Sequence, residues 1–217
     1  MNPLMSGLNG SSSAKSRLFD LYSGDGYVNV FLHIRWWIAN FDKLTEFLPR
    51  EGTIVDLGCG YGIFANYLAL SSEKRNVVGV ELSERKLKYA DKKLSNARFL
   101  HGDIVQQSIP PCDAVLFLDV LHHLDSFEEQ EKLLKHCAGL LNPNGFIFIK
   151  DIDKKPLHKY YFTQMVDNLL YPGDRYYYRG QDEFQALAGR LNMDLERHLV
   201  HRGTPYSNII YILRNKK

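Results

Sequence analysis

A chain of 217 residues, 45% of them hydrophobic, can bury one sizeable core but hardly two full domains. Its net charge of +2 provides no strong positive field to attract nucleic acid or an anionic membrane as an obligatory partner. The three cysteines, Cys59, Cys112 and Cys137, have the spacing of neither a disulfide framework nor a zinc site, which favours a reducing compartment, the cytoplasm.

The N-terminal part of the chain predicts a tail followed by helices. The first 16 residues are small and polar and lack the apolar stretch of a signal peptide, so we expect a flexible tail there. From Tyr27 to Leu48 the apolar residues recur at helical spacing, which predicts a helical cap over residues 17–50. Polar residues interrupt the longest apolar stretch, so no membrane insertion is expected.

Short apolar runs alternate with amphipathic segments over residues 52–151, which predicts alternating strands and helices. The predicted strands are almost continuously apolar, as strands covered on both faces are. Ser126 and Glu129 have the spacing of a capping box and predict the start of one helix. We therefore predict an α/β fold with a doubly wound, Rossmann-like and mostly parallel sheet, whose ligands bind at the carboxyl ends of the strands.

The pattern changes after Asp151. An aromatic-rich helical segment from Lys159 to Tyr178 and a further helix predict a substrate cap over residues 152–192. Its aromatic side chains would suit a planar or lipid-like ligand, or would simply pack a helix on the sheet. Two final strands over residues 193–217 predict an antiparallel edge. Residues 17–217 thus form a single domain in this prediction.

Three glycines follow the first predicted strand in the sequence VDLGCGYGIFA: Gly58, Gly60 and Gly62. Small residues let the backbone approach a ligand closely. The last two glycines, with Ala65, satisfy the dinucleotide fingerprint, and Glu81 follows at the usual distance for a ribose contact. The glycine pattern alone therefore allows NAD as well as S-adenosylmethionine.

Asp56 distinguishes these two cofactors. It ends the first strand just before the glycines, where its carboxylate would repel the pyrophosphate of NAD or FAD. S-adenosylmethionine has no phosphate and carries a sulfonium and an ammonium group, which a carboxylate attracts. We therefore predict S-adenosylmethionine as the cofactor.

Two further acids end the second and third predicted strands. Glu81 can accept hydrogen bonds from both ribose hydroxyls, with Leu82 against the adenine. Asp103 can accept from the adenine amino group while Ile104 packs on the ring; the role of a turn or cap aspartate fits Asp103 equally well. Three acids at one edge of a parallel sheet predict a cofactor site there.

These residues, together with the sequences FLDVLHHL and LLNPNGFIFIKD, resemble the ordered motifs of class I S-adenosylmethionine-dependent methyltransferases. Within that superfamily the paired histidines and the L-x-P-x-G sequence resemble enzymes of ubiquinone and menaquinone biosynthesis. The sequences GCGYG and DIDKKP are similar to methyltransferases of bacterial aryl-polyene or polyketide pathways. The resemblance implies an enzyme that methylates a small molecule.

The resemblance also implies roles for single residues. It assigns the methionine end of the cofactor to Asp56, Gly58 and Gly60, the ribose to Glu81, and the adenine to Asp103 and Ile104. Asp119 would lie near the methionine moiety. Arg35 is a candidate for the cofactor carboxylate, with an ordinary helix-surface arginine as the alternative.

Methyl transfer is an in-line displacement, so alignment of the acceptor in a water-poor pocket supplies much of the rate. An oxygen acceptor must lose a proton, and His122 or His123 can accept it. We favour His123, although either histidine can instead bond a neighbouring loop. The predicted acceptor is a small aromatic, polyketide-like or lipid-like molecule, free or carrier-bound, with an oxygen or carbon nucleophile.

Other functions are weighed against this one. Asp119 and Asp151 stand where catechol-type methyltransferases bind magnesium, but the residues around them resemble the metal-independent branch, so we predict no metal. An NAD-dependent oxidoreductase and a non-catalytic S-adenosylmethionine-binding module stay open. Nucleic acid is not an expected partner because the chain has no NPPY-type motif and no basic stripe. The sequence does not predict an oligomeric state.

Overall fold

The computed structural model describes residues 13–170, 172–173 and 175–216. By its internal contacts the chain divides into two compact units, one up to Gln107 and the other from Ser108, where the sequence analysis predicted a single domain. None of the helices within the described ranges is both long and apolar enough to cross a membrane.

The first unit begins with helices. Residues 13–21 are helical (α1), so the predicted tail is wrong at residues 13–16; its first twelve residues lie outside the described part of the chain. The physical reason is packing, because Ala14 and Leu18 are buried. Two helices and a 3-10 turn follow: α2 (Tyr27–Ala39), α3 (Phe41–Leu44) and Thr45–Phe47. Asn40, with a φ of 52°, ends α2 in the left-handed conformation.

A three-stranded parallel sheet forms the rest of the first unit. Its strands are β1 (Gly52–Leu57), β2 (Arg75–Glu81) and β3 (Ala97–His101), connected by α4 (Ile63–Ser71) and α5 (Glu84–Ala90). The strand β2 lies between the other two, and Asp56 pairs with Gly79 in the ladder. Since the strands are parallel, their carboxyl ends, which carry the predicted site residues, lie at one edge.

The second unit contains a four-stranded mixed sheet. Its strands are β4 (Cys112–Leu118), β5 (Leu141–Ile152), β6 (Met193–Leu199) and β7 (Asn208–Asn215), and its helices are α6 (Phe127–Ala138), α7 (Leu157–Leu170) and α8 (Gln181–Arg190). The strands β4 and β5 are parallel, whereas β7 is antiparallel to both β5 and β6. The predicted α/β class, with parallel strands and an antiparallel C-terminal edge, is confirmed.

Two local predictions in the second unit have different outcomes. Ser126 caps α6 as predicted, because its Oγ accepts a hydrogen bond of 3.1 Å from the backbone N–H of Glu129. The aromatic-rich helix is shorter than predicted, since α7 ends at Leu170 and residues 175–180 have no regular secondary structure. In that segment the backbone N–H of Tyr177 donates to the carbonyl of His122 at 2.9 Å.

Candidate cofactor site and active site

The glycine loop between β1 and α4 has three left-handed residues. Gly58, Gly60 and Gly62 have φ angles of 75°, 58° and 69°. A Cβ atom at Gly62 would lie 2.7 Å from the Cβ of Ala90, whereas a Cβ atom at Gly60 would meet nothing within 4 Å. Gly62 therefore permits close packing against α5, and Gly60 leaves open space in which a ligand can approach the backbone.

The Glu81 carboxylate is fixed at the carboxyl end of β2. Its Oε2 accepts a hydrogen bond of 2.9 Å from the backbone N–H of Gly60, and its Oε1 accepts one of 2.8 Å from Ser83. Each carboxylate oxygen keeps a further lone pair, so the group can accept two more hydrogen bonds from a ligand. The loop and the acid are thus one hydrogen-bonded structure, which suits a pair of ribose hydroxyls.

Asp56 is buried at the carboxyl end of β1, with 2% of its surface exposed. Burial and the neighbouring charge of Glu81 raise the pKa of its carboxyl to about 7, and the positive charge of Arg35 opposes this rise. The group is therefore partly protonated near neutral pH. A cationic ligand would favour its ionised form and an anionic ligand its neutral form.

The residues predicted to contact adenine are not held in one hydrogen-bonded arrangement as Glu81 is. Asp103 accepts hydrogen bonds from the backbone N–H of Val105 at 2.9 Å and from the side chain of Gln106 at 3.4 Å, which is the turn role that the sequence left open. Leu82 is 67% exposed and Ile104 is half-buried, so both present apolar surface. The adenine contacts of these three predicted residues remain a prediction.

Tyr22 connects the N-terminal helices to the glycine loop by hydrogen bonds. Its hydroxyl donates to the carbonyl of Tyr61 at 2.7 Å and accepts from the side-chain amide of Asn66 at 2.8 Å. The same amide donates to the carbonyl of Ala90 at 2.8 Å. Tyr22 is fully buried, and burial raises the pKa of its hydroxyl. The polar Asn66 within an apolar helix is the sequence signal for these hydrogen bonds.

Asp119 in the second unit is held by a buried lysine. The ammonium group of Lys150 donates to both carboxylate oxygens of Asp119, at 2.6 and 2.8 Å, and only 1% of Lys150 is exposed. Asp119 also has a φ of 58°, the left-handed conformation that asparagine and aspartate tolerate best among residues with a side chain. A lysine inside an apolar strand was the sequence signal for this pair, and we missed it.

His122 and Asp151 form a buried pair. The Nδ1 atom of His122 lies 2.6 Å from Oδ1 of Asp151, which also accepts a hydrogen bond from the backbone N–H of Ile152. Because an ionised carboxylate can only accept, Nδ1 carries the proton and Nε2 is the acceptor of the neutral ring. Burial lowers the pKa of His122, but the charge and hydrogen bond of Asp151, with smaller effects of nearby carboxylates, raise it above its usual value.

His123 has different surroundings. It is exposed, and its ring contacts those of Tyr176 and His122 at centroid distances of 5.3 and 4.4 Å. The ring of His122 instead stacks on Tyr178 at 4.7 Å, and the Tyr178 hydroxyl donates to Asp167. Of the two candidate bases, His122 is the one oriented by a carboxylate, although the sequence analysis favoured His123.

The two carboxylates that were considered as magnesium ligands bind other side chains. Asp119 pairs with Lys150, and Asp151 pairs with His122. Within the described ranges, no group of three or more His, Cys, Asp and Glu side chains is placed to hold a metal ion.

Comparison with known proteins agrees with this geometry. Residues 55–149, which span the glycine loop, Glu81, Asp103 and the two histidines, match a sequence family described as "Methyltransferase domain". Over these residues, which make up less than half of the chain, the sequence is similar to that family. The predicted resemblance to methyltransferases is confirmed over these residues, and the similarity agrees with the predicted enzyme class and the predicted cofactor.

Two curated relatives show how far the similarity extends. An uncharacterized methyltransferase from Mycobacterium tuberculosis is 32% identical over 121 residues, which cover 52% of this chain and 59% of the relative. A ubiquinone biosynthesis O-methyltransferase from Dechloromonas aromatica is 26% identical over 143 residues, which cover 56% and 60%. The matched part of the chain thus spans about three fifths of the length of these relatives.

A solved structure supports the fold over almost the whole chain. Magnesium protoporphyrin IX methyltransferase from Synechocystis PCC 6803, with SAH bound, is 21% identical and has a TM-score of 0.67 over 99% of this chain and 100% of its own. The similarity confirms the predicted Rossmann-like methyltransferase fold.

The raised pKa of Asp56 predicts that cofactor binding depends on pH. Below about pH 7 the carboxyl is mostly protonated, so binding of the cationic S-adenosylmethionine beside it should release this proton. Affinity should therefore rise by about tenfold per pH unit up to about pH 7 and level off above it. Calorimetric titration of the wild type and of Asp56→Asn measures this: the variant should bind more weakly and without that slope. Equal slopes would contradict the assignment.

The two glycines allow a matched comparison. Gly62→Ala should lower the free energy of unfolding by about 3 kcal/mol, from left-handed strain and the clash with Ala90. Gly60→Ala has the strain without the clash and should lose only about 1 kcal/mol. It should nevertheless weaken S-adenosylhomocysteine binding by roughly tenfold, because its methyl group occupies the ligand's space. Denaturant titration and calorimetry distinguish these effects; a Gly60→Ala protein with wild-type affinity would remove Gly60 from the site.

Proposed function

We propose that this protein transfers the methyl group of S-adenosylmethionine to an oxygen or carbon nucleophile of a small molecule. The Glu81 carboxylate supports the proposal best, because the backbone N–H groups of Gly60 and Ser83 hold it with two acceptor positions left for a ribose. A matched methyltransferase domain surrounds this arrangement. Asp56, buried beside Glu81, favours a cationic ligand over the pyrophosphate of NAD.

For the acceptor we propose a planar aromatic or polyketide-like molecule. The second unit contains a ring cluster, formed by His122, His123, Tyr160, Tyr176 and Tyr178. Aromatic side chains suit flat, partly apolar ligands. The names of two similar proteins, a ubiquinone biosynthesis O-methyltransferase and magnesium protoporphyrin IX methyltransferase, agree with such an acceptor. A carrier-bound acceptor and a cytoplasmic location remain part of the proposal.

We assign the proton transfer to His122. S-adenosylmethionine, when bound, would supply an electrophilic methyl group and would leave as S-adenosylhomocysteine. An acceptor oxygen that bonds to this methyl group must lose its proton, and Nε2 of His122 would take it. Asp151 is a positioning residue, because it fixes the ring through Nδ1 and stabilises the imidazolium that forms. His123 is the second candidate for the base.

A product assay tests the proposal. The protein is incubated with S-adenosylmethionine and a panel of phenols, quinols and β-dicarbonyl compounds, and S-adenosylhomocysteine and the methylated product are measured together. Equal amounts of the two are expected with at least one acceptor class. Tight cofactor binding without any product would instead favour the non-catalytic module. Binding of NAD without S-adenosylmethionine would favour an oxidoreductase.

A further inference from the structure

The helix α7 has its apolar side chains on its solvent side. Five large side chains are exposed to between 39% and 78%, and they lie within one 140° sector of the helix: Leu157, Tyr161, Phe162, Met165 and Leu169. These five residues are called the α7 face below. A helix of a water-exposed surface normally has the opposite pattern, with its apolar stripe against the core.

Polar contacts fix this orientation. The Lys159 ammonium group donates to the carbonyls of His201 and Thr204, both at 2.7 Å, on the inward side of α7. Asp167, the only carboxylate of the helix, also points inward, where it accepts from the hydroxyl of Tyr178. The α7 face is therefore exposed because the polar side of the helix is bound to the second unit.

Exposed basic residues lie on α7 and in the segments next to it. His158 lies on the face, Lys155 just before the helix, and Arg202 in the loop that Lys159 binds; all three are exposed. Exposed Arg175 precedes Tyr176, whose hydroxyl donates to the backbone carbonyl of Asp167 near the other end of the helix. The exposed apolar side chains of α7 thus have basic residues nearby, whereas Asp167, the one carboxylate in the helix, is half-buried and bound to Tyr178.

We propose that the α7 face docks on the surface of a bilayer that contains anionic phospholipid. An amphipathic helix with an apolar face and basic flanks lies in the plane of the headgroups, where Tyr161 suits the boundary between water and hydrocarbon. A second copy of the chain fits less well, because it would bring cation against cation. The net charge of +2 did not indicate this surface, because the attraction to anionic headgroups depends on the few basic residues near α7 and not on the charge of the whole chain.

Vesicle flotation tests the proposal, without cofactor or acceptor, so its result does not depend on methyl transfer. The wild-type protein should float with vesicles of phosphatidylglycerol and phosphatidylcholine, and less with phosphatidylcholine alone. Leu169→Glu should reduce the bound fraction by roughly tenfold, since it places an anion where the exposed apolar side chain would enter the bilayer. Leu199→Glu is the matched control, because Leu199 is also an exposed leucine of the second unit, on β6.

Circular dichroism and thermal unfolding of both variants should match the wild type, because both leucines are exposed. Absence of wild-type binding to anionic vesicles would overturn the proposal, as would equal losses in the two variants. A wild-type dimer in sedimentation that Leu169→Glu dissociates, with no vesicle binding, would identify a second copy as the occupant instead. If the wild type does not bind vesicles and Leu169→Glu has a raised KM for an apolar acceptor, the α7 face is instead part of the acceptor site.

Discussion

Glu81→Gln should lower the affinity for S-adenosylhomocysteine by roughly 100-fold. The carboxylate loses its charge, and hydrogen bonds from two hydroxyls to a charged acceptor contribute about 1.5–3 kcal/mol each. In addition, the new amide NH2 group must face a backbone N–H group of either Gly60 or Ser83, because both oxygens of Glu81 already accept one. Isothermal titration calorimetry measures the change.

Glu84→Gln is the control for this experiment. Glu84 begins the adjacent helix α5 and is exposed, so the same substitution there should leave affinity within about twofold. A Glu81→Gln protein that binds S-adenosylhomocysteine like the Glu84→Gln protein would contradict the ribose assignment. A thermal unfolding midpoint close to that of the wild type would show that the loss concerns the ligand and not the fold.

His122→Asn should lower kcat by roughly 100-fold or more, the usual contribution of a positioned general base. A base works in its neutral form, so wild-type kcat should rise with pH through the pKa of His122, which the charge of Asp151 places above 6.5. Asp151→Asn removes that charge and should move the midpoint of the rise to lower pH, while lowering kcat by roughly tenfold. Initial rates from pH 5.5 to 9 measure both.

His123→Asn is the matched control, because it makes the same substitution in the neighbouring, exposed ring. Its kcat should stay within about threefold of the wild type, with an unchanged pH midpoint. The opposite result, a large loss for His123→Asn and a small one for His122→Asn, would transfer the role of the base to His123. An Asp151→Asn profile with an unmoved midpoint would reduce Asp151 to a structural residue.

Features that depend on local pattern could be predicted from the sequence. The glycine loop, the acid at the end of β2 and the cap at Ser126 follow from residue spacing over a few positions, and the structure has them where the sequence indicated. The alternation of strands and helices predicted the fold class for the same reason. A few residues of context determine each of these elements.

Partners that are distant in the sequence were missed. The bonds Lys150–Asp119, His122–Asp151 and Tyr22–Asn66 join residues 29 to 44 positions apart, and no periodicity links their members. The helical residues 13–16 were assigned to the tail because their composition is polar, yet tertiary packing of Ala14 decides their structure. Such contacts appear only when the chain has folded.

The structure changes the expected charge of the Asp56 carboxyl. The sequence suggested a charged carboxylate that repels phosphate, which assumes an ordinary aspartate. Burial next to Glu81 raises its pKa to about 7, so the group is only partly charged at neutral pH. Asp56 still favours a cationic ligand, because such a ligand stabilises the ionised carboxyl. Binding of that ligand should therefore release a proton from Asp56.

The hydrogen bond from Tyr22 to Tyr61 has a reciprocal consequence. Since this bond joins the segment around Tyr22 to the glycine loop, a ligand whose binding depends on that packing must stabilise the packing by the same coupling free energy. The protease sensitivity of the segment around Tyr22 should then decrease when the cofactor binds. A truncation or fusion that disturbs residues near Tyr22 would change the apparent affinity for the cofactor from outside the site itself.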